Sequence, residues 1–197
     1  MDWLTSTGDL LKIVVGAGLG SAFVQASTAY LTERWTRKTK ADFLALRIAV
    51  MLETFTDQCA QLVYDNEYAE EFPDEPLPNW SITLPTFEPW PDDIDGWRSL
   101  DQNLVGRCLN FRSERDRQQR VLRDAIEYVE DDAEKHVAIV AADIGLAAWG
   151  LAEALRTEHG LLASQPNPDA AERLERRAKW AQDQFAEDRA RQEKLLG

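Results

Sequence analysis

The residues of this chain best suited to chemistry form one acidic and histidine-containing group, Asp132, His136 and Asp143. Successive steps of four and seven residues place the three on one face of a helix. A carboxylate and an imidazole at this spacing can bind a metal ion or share a proton. Di-metal helical bundles, however, repeat a Glu-x-x-His pattern on two helices, and the only other histidine, His159, directly follows Glu158. We therefore expect Asp132 and His136 to be solvated, and Asp143 to lie on a weakly packed face or to pair with an arginine.

No established catalytic or cofactor-binding motif occurs in the sequence. There is no Gly-x-Ser-x-Gly, His-Glu-x-x-His or phosphate-binding loop, and Cys59 and Cys108 have no metal-ligand spacing. Both cysteines lie in stretches of helical apolar spacing, which favours buried reduced thiols over a disulfide. The sequence thus predicts no catalytic residue, no cofactor and no metal site, with a helical enzyme that uses the Asp132, His136 and Asp143 face as an alternative.

A glycine-rich segment near the N-terminus, VVGAGLGS, looks like the turn of a dinucleotide-binding fold. The third glycine of that motif would fall at Ser21. The second strand and the acidic residue that should follow are replaced by the charged helical sequence TERWTRKTKADF. A nucleotide site is therefore not the favoured interpretation.

The same segment has the length and composition of a membrane span. Residues 13–31, IVVGAGLGSAFVQASTAYL, are nineteen residues without a charge, and a helix of that length covers roughly 28 Å. Tyr30 and Trp35 lie where interfacial aromatic rings are expected. A basic collar follows, made of Arg34, Arg37, Lys38 and Lys40. The sequence predicts an uncleaved, single-pass helix over roughly 10–31 in an inner (cytoplasmic) membrane of bacterial type, N-out and C-in, with a buried helix of a soluble bundle as the alternative.

One face of this predicted span is small and polar. Its members are Gly16 and Gly20, four residues apart, together with a stripe at heptad spacing formed by Gly18, Ser21, Gln25 and Thr28. Small residues let membrane helices approach closely, and a glutamine is costly to leave in lipid. This pattern predicts self-association, or pairing with another membrane protein, and the alternative is that these residues only make a marginal anchor.

The rest of the chain is expected to be one acidic, mostly helical domain. We predict an anchor with its collar over 1–40, a cytoplasmic helical domain over 41–163 and a charged C-terminal helix over 164–197. Within the domain, helical periodicity predicts a long helix over 41–71 that could continue from the anchor, a short helix ended by Asn110, a further helix near 121–129, and a central apolar helix ended by Gly160. The predicted fold class is all-α.

Residues 72–98 interrupt the helices with an acidic loop rich in proline and tryptophan. Six prolines exclude a long helix there, and Trp80, Trp90 and Trp97 are its expected anchors. The loop is either a structural strap held by these aromatic rings or an exposed docking segment for a basic partner. Net charge is −13, with no Lys or Arg between Arg47 and Arg98, so nucleic acid is not an expected partner.

Together these features predict a membrane-anchored, all-α interaction or assembly protein. Its expected partners are membrane lipids and a second copy of the chain or another membrane protein. The alternatives are a soluble helical bundle that binds a protein through the acidic loop, and the helical enzyme named above.

Overall fold

Five α-helices account for most of the residues that the structure, a computed structural model, describes, which are 7–72, 83–128, 133–164 and 168–196. No strand occurs among these residues, so the all-α prediction is confirmed for this part of the chain. The helices are α1 (Thr7–Glu71), α2 (Ile94–Ser99), α3 (Gln102–Tyr128), α4 (Ala133–Glu158) and α5 (Pro168–Leu196).

The first helix, α1, runs without a break for 65 residues, which is about 98 Å of helix. No proline interrupts it, and each of its glycines weakens a helix by only about 1 kcal/mol. The predicted helix over 41–71 is therefore the second half of a longer one that continues from the predicted anchor. The side chains before Tyr30 lie outside the described residues, and the membrane span over 10–31 stays a prediction.

The centre of the domain is α4, which packs against α1, α3 and α5. Its face towards α1 is rich in alanine, and Ala138, Ala141, Ala142 and Ala148 are fully buried. Small side chains allow the helix axes to approach closely. Among the residues whose side chains the structure describes, Lys135–Glu158 is the one helix long and apolar enough to span a membrane, but half of its most apolar stretch is buried within the bundle.

The predicted stop at Gly160 is confirmed by the backbone at the end of α4. Gly160 has a φ of 60°, in the left-handed region that favours glycine. The amide of Leu161 donates to the carbonyl of Arg156 at 2.9 Å, and the amide of Gly160 donates to that of Thr157 at 3.2 Å. These two bonds form a Schellman motif, which satisfies carbonyls that the helix end leaves open.

The prediction that Asn110 ends a short helix is wrong, because α3 continues as one helix from Gln102 to Tyr128. An asparagine costs a helix only several tenths of a kcal/mol. The charged stretch beyond it is stabilised within the helix, where Glu114 accepts hydrogen bonds from Arg117 and Gln118. Helical periodicity fades there because this part of α3 buries few apolar side chains, not because the helix stops.

The loop predicted over 72–98 is not irregular throughout, since its last residues form α2. The side chain of Asp93 caps this short helix by accepting a hydrogen bond from the amide of Gly96 at 2.9 Å. The last helix, α5, lies along α1 and α4. On this charged helix the apolar residues Leu174, Ala178 and Ala181 are buried, Ala171 is half-buried, and the side chain of Phe185 lies outside the described residues.

Candidate functional site

The domain leaves a long part of α1 uncovered. The apolar core, as far as the structure describes it, begins on α1 at Ala41. Every residue from Tyr30 to Lys40 is exposed, including Trp35 at 79%. Seen from the domain, α1 therefore projects beyond the bundle in the direction of the predicted membrane span.

The basic collar lies on this projecting part of α1. Arg34, Arg37, Lys38 and Lys40 are all exposed. Arg37 forms an ion pair with Glu33, one turn earlier on the helix. The ammonium of Lys40 donates to Oδ2 of Asp95 at 2.7 Å, and this hydrogen bond and charge lower the pKa of the Asp95 carboxyl. Lys40 thus ties α2 to α1 at the point where α1 leaves the domain.

One face of α1, running past the collar and into the domain, is exposed and carries four apolar side chains and two threonines. We call it the outer face, and it consists of Thr32, Trp35, Thr39, Phe43, Leu46 and Val50. At about 100° per residue, the six positions fall within an arc of about 80°. Phe43 is 58% exposed, Leu46 38% and Val50 47%. The opposite side of the same helix, with Leu44, Ile48 and Leu52, is fully buried in the core.

The predicted membrane packing residues fall on the helical part of α1, but their side chains lie outside the described residues. They are Gly16, Gly18, Gly20, Ser21, Gln25 and Thr28. The structure describes their backbone as continuous α-helix. Their helical phase relative to the outer face is therefore fixed by residue count alone.

Two of the three predicted loop anchors contact the core. The ring of Trp90 meets that of Phe87 at 4.7 Å and that of Trp97 at 6.2 Å between centroids. The indole of Trp97 donates to the carbonyl of Pro91 at 2.9 Å. Trp80 lies outside the described residues. The packing of Trp90 and Trp97 is what the strap interpretation expects, and residues 83–93 are called the strap below.

Side chains of α3 hold the strap in place. The amide of Leu84 donates to Oε1 of Gln119 at 2.9 Å, and Arg115 donates to the carbonyl of Pro85 at 2.6 Å. The ring of Phe87 packs edge-on against Phe55 of α1, with centroids 5.3 Å apart. No local pattern in α3 indicates that its charged part binds the loop.

The structure describes only two of the three residues of the predicted polar face. Asp132 lies outside the described residues, His136 is exposed, and Asp143 is exposed at the edge of a groove of about 230 Å³ between α3 and α4. Apolar side chains including Val140 and Ile144 line this groove. The resulting partial desolvation raises the pKa of Asp143.

This groove lacks the parts of a catalytic centre. The carboxylate that shares it with Asp143 is Glu114, whose two oxygens accept from Arg117 at 2.6 and 2.9 Å. No group of three or more His, Cys, Asp or Glu able to hold a metal ion occurs in the described parts of the chain. The described lining of this groove consists of two carboxylates, one amide and apolar side chains, and it assigns no reaction.

Two polar pairs that the sequence analysis did not single out join α4 to α1. Arg156 binds both carboxylate oxygens of Glu53, at 2.5 and 2.8 Å, and Nδ1 of His159 lies 2.8 Å from Oδ1 of Asp42. Both pairs are more than 100 residues apart in sequence, so no local pattern could reveal them. They fix the end of α4 beside the point where α1 leaves the domain.

Comparisons of the chain with protein-family models, with curated proteins and with solved structures found no match. The functional argument therefore depends on the chemistry and geometry of this chain alone.

Proposed function

We propose that this chain is a membrane-anchored helical protein whose role is assembly, and that it self-associates through the first half of α1. The observation that carries the proposal is the single helix from Thr7 to Glu71, whose residues 30–40 are all exposed before the buried face that begins at Ala41. An uncharged apolar helix as long as residues 13–31 is stabilised by lipid or by another helix that covers it.

The charged and aromatic residues next to the apolar run support a lipid membrane, rather than a soluble protein, as the main surroundings of that run. Residues 13–31 carry no charge, and four basic residues follow within ten positions. The exposed rings of Tyr30 and Trp35 lie between the apolar run and the domain, where the polar interface of a bilayer would be. The exposed collar would lie near anionic headgroups, which attract each Lys or Arg by about 1 kcal/mol.

Self-association is supported by the small and polar stripe at Gly18, Ser21, Gln25 and Thr28. A buried polar side chain in lipid is stabilised by a hydrogen bond to a neighbouring helix. The collar on the domain side supports a cytoplasmic position for that domain under the positive-inside rule. The chain would then be a single-pass protein of the inner membrane, N-out and C-in.

Fractionation followed by mass measurement tests both parts of the proposal. We expect the full chain to remain in the membrane pellet after alkaline carbonate, to enter solution only with detergent, and to have a protein mass of at least two chains there. Replacing Gln25 by Leu, or Gly20 by Leu, should lower the oligomer fraction without releasing the chain from the membrane. Recovery in the soluble fraction without detergent would refute the anchor, and a single-chain mass would refute self-association.

A further inference from the structure

We infer that the interface between two copies of this chain does not end at the membrane surface but continues along the outer face of α1 as far as Val50, as a parallel helix pair. The inference depends on the proposed function, because it names the partner of the same helix. The occupant of the outer face is a second copy of this chain.

Helical phase is the first argument. From Gly18 to Val50 the membrane stripe and the outer face follow one another in steps of three and four residues, at positions 18, 21, 25, 28, 32, 35, 39, 43, 46 and 50. At about 100° per residue these ten positions stay within an arc of about 100°. Because α1 is unbroken, a partner helix that packs against the first four positions would also lie along the other six. Steps of three and four are the spacing of helices that pair side by side.

The position of the core is the second argument. The buried face of α1, represented by Leu44, Ile48 and Leu52, is centred roughly 180° from the outer face. The domain of each copy therefore lies on the far side of its own α1 and leaves the outer face accessible. Trp35, Phe43 and Val50 expose 47 to 79% of their surface there, which is large for apolar side chains on one stripe.

Charge favours a parallel arrangement. Asp42 and Arg47 flank the outer face on opposite sides, each about 70° from its centre. They are five residues apart, the spacing at which flanking residues of two parallel helices meet across the seam. Asp42 is 29% exposed and already lies 2.8 Å from Nδ1 of His159 in its own chain. Its remaining exposed side would face Arg47 of the other copy, and the same contact would occur a second time by symmetry. Copies inserted into a membrane by the same rule also share one orientation, which a parallel pair requires.

The sequence also explains where the pairing ends. Beyond Val50 and Thr54, the next residue on the same face of α1 is Asp57. Asp57 is exposed, and Glu53 lies one turn before it. Two copies of Asp57 facing each other would repel. Outside the membrane, the seam is therefore limited to the collar region and the first three turns of α1 within the domain.

Disulfide crosslinking of the full chain in native membranes tests the inference. Single cysteines replace Gln25 in the membrane stripe, Thr39 and Leu46 on the outer face, and, as the matched control, Arg34, which is exposed on the other side of the same helix. The native Cys59 and Cys108 are fully buried and should not react. Like positions along a parallel seam approach within the 4.4–6.8 Å between Cα atoms that a disulfide spans.

We expect Gln25→Cys, Thr39→Cys and Leu46→Cys to give dimer bands at least five-fold stronger than Arg34→Cys under mild oxidation. Crosslinking at position 25 but not at 39 and 46 would overturn the inference and leave the proposed self-association intact. No crosslinking above the control at any position would overturn both. Equal bands at all four positions would indicate random collision and would also overturn the inference.

A charge substitution gives an independent measurement. Leu46→Glu should raise the dissociation constant of the detergent-solubilised dimer at least ten-fold, because two carboxylates would meet in the seam. Leu109→Glu, an exposed leucine on α3, is the control and should leave the constant unchanged. An unchanged constant in Leu46→Glu, with helicity equal to that of the wild type, would contradict the inference.

Discussion

At the scale of single residues, long-range polar pairs fix how α4 lies on α1. Glu53 and Arg156 form two hydrogen bonds and expose only 15% and 13% of their side chains. The hydrogen bond and charge of Glu53 raise the pKa of Arg156. Arg156 also donates to the carbonyl of Leu162 at 2.7 Å, so the same guanidinium holds the chain that follows α4. A charge so enclosed depends on its partner far more than a surface charge does.

Replacing Glu53 by Ala should therefore lower the free energy of unfolding by about 1 to 3 kcal/mol, because Arg156 would be left half-buried without its carboxylate. Urea unfolding of the full chain in detergent measures the change. The matched control is Glu33→Ala, which breaks the ion pair of Glu33 with Arg37, whose side chains are 62% and 70% exposed, and should cost less than about 1 kcal/mol. Equal losses in the two variants would contradict this account of the Glu53 pair.

Asp143 is the residue whose ionisation should oppose folding. Its pKa is raised by partial desolvation, so the folded chain holds the proton more tightly than the unfolded chain does. The free energy of unfolding then falls as the pH rises from the unfolded pKa of about 4 through the higher folded value, and the loss persists at neutral pH.

Asp143→Asn removes this ionisation and should stabilise the domain at pH 7 by less than about 1 kcal/mol, since the residue is exposed to water. Urea unfolding of both proteins at pH 4 and pH 7 measures the effect. The advantage of the variant should be larger at pH 7 than at pH 4. An advantage that is the same at both values, or a variant that is less stable at pH 7, would contradict the desolvation of Asp143.

At the scale of helices, the sequence predicted the elements that depend on local features, namely apolar periodicity and residues that end a helix. For α4, the apolar periodicity and the glycine at its end were sufficient to predict the helix and where it stops. Both features can be recognised from neighbouring residues alone. The continuity of α3 was not predictable, since Asn110 and the charged turns after it carry no apolar period. Hydrogen bonds within those turns and contacts to the strap at Leu84 and Pro85 maintain the helix.

The candidate site also has parts that the sequence predicted and parts that it did not. The exposure of the collar residues Arg34 and Lys38 agrees with their charge. The exposure of Phe43, Leu46 and Val50 could not be deduced, because apolar residues lie on more than one side of this helix and the sequence does not say which side the domain covers. The packing of α2, α4 and α5 decides which face of α1 remains open.

The crossing of α1, α4 and α5 depends on a glycine that local pattern did not single out. A Cβ at Gly145 would lie 2.9 Å from Cβ of Cys59 and 2.9 Å from Cδ1 of Leu174. The carbonyl of Gly145 also accepts a hydrogen bond from the hydroxyl of Thr56 at 3.2 Å. Three helices therefore meet here at a separation that only glycine permits.

Gly145→Ala should lower the free energy of unfolding by about 1 to 3 kcal/mol, because the helices must move apart to admit a methyl group. Gly150→Ala on the same helix is the matched control, since nothing lies within 4 Å of the added Cβ. That control should stabilise the chain by up to about 1 kcal/mol through helix propensity. Thermal unfolding of the two variants checks the difference in sign, and two variants of equal stability would refute the close crossing.

At the scale of the whole molecule, one helix belongs to two environments. The half of α1 after residue 40 is covered by α2, α4 and α5, and residues 30–40 before it are exposed. Thirteen large apolar side chains are exposed among the described residues. Six of them lie on α1 between Tyr30 and Val50, and two more, Ile94 at the start of α2 and Leu162 after the end of α4, lie beside the point where α1 leaves the domain. The apolar surface of the molecule is thus concentrated towards its predicted membrane end.

Deletion of residues 2–31 should separate these two environments. Because the described core begins at Ala41, the shortened chain should fold, melt cooperatively within about 5 °C of the full chain, and remain in solution without detergent. The outer face and its flanking residues Asp42 and Arg47 would still be present, but the membrane would no longer align the copies or raise their local concentration. The shortened chain should therefore be mainly monomeric at micromolar concentration in analytical ultracentrifugation. A shortened chain that still sediments with membranes would place the anchor elsewhere, and one that loses its cooperative melting transition would show that the deleted half of α1 belongs to the core.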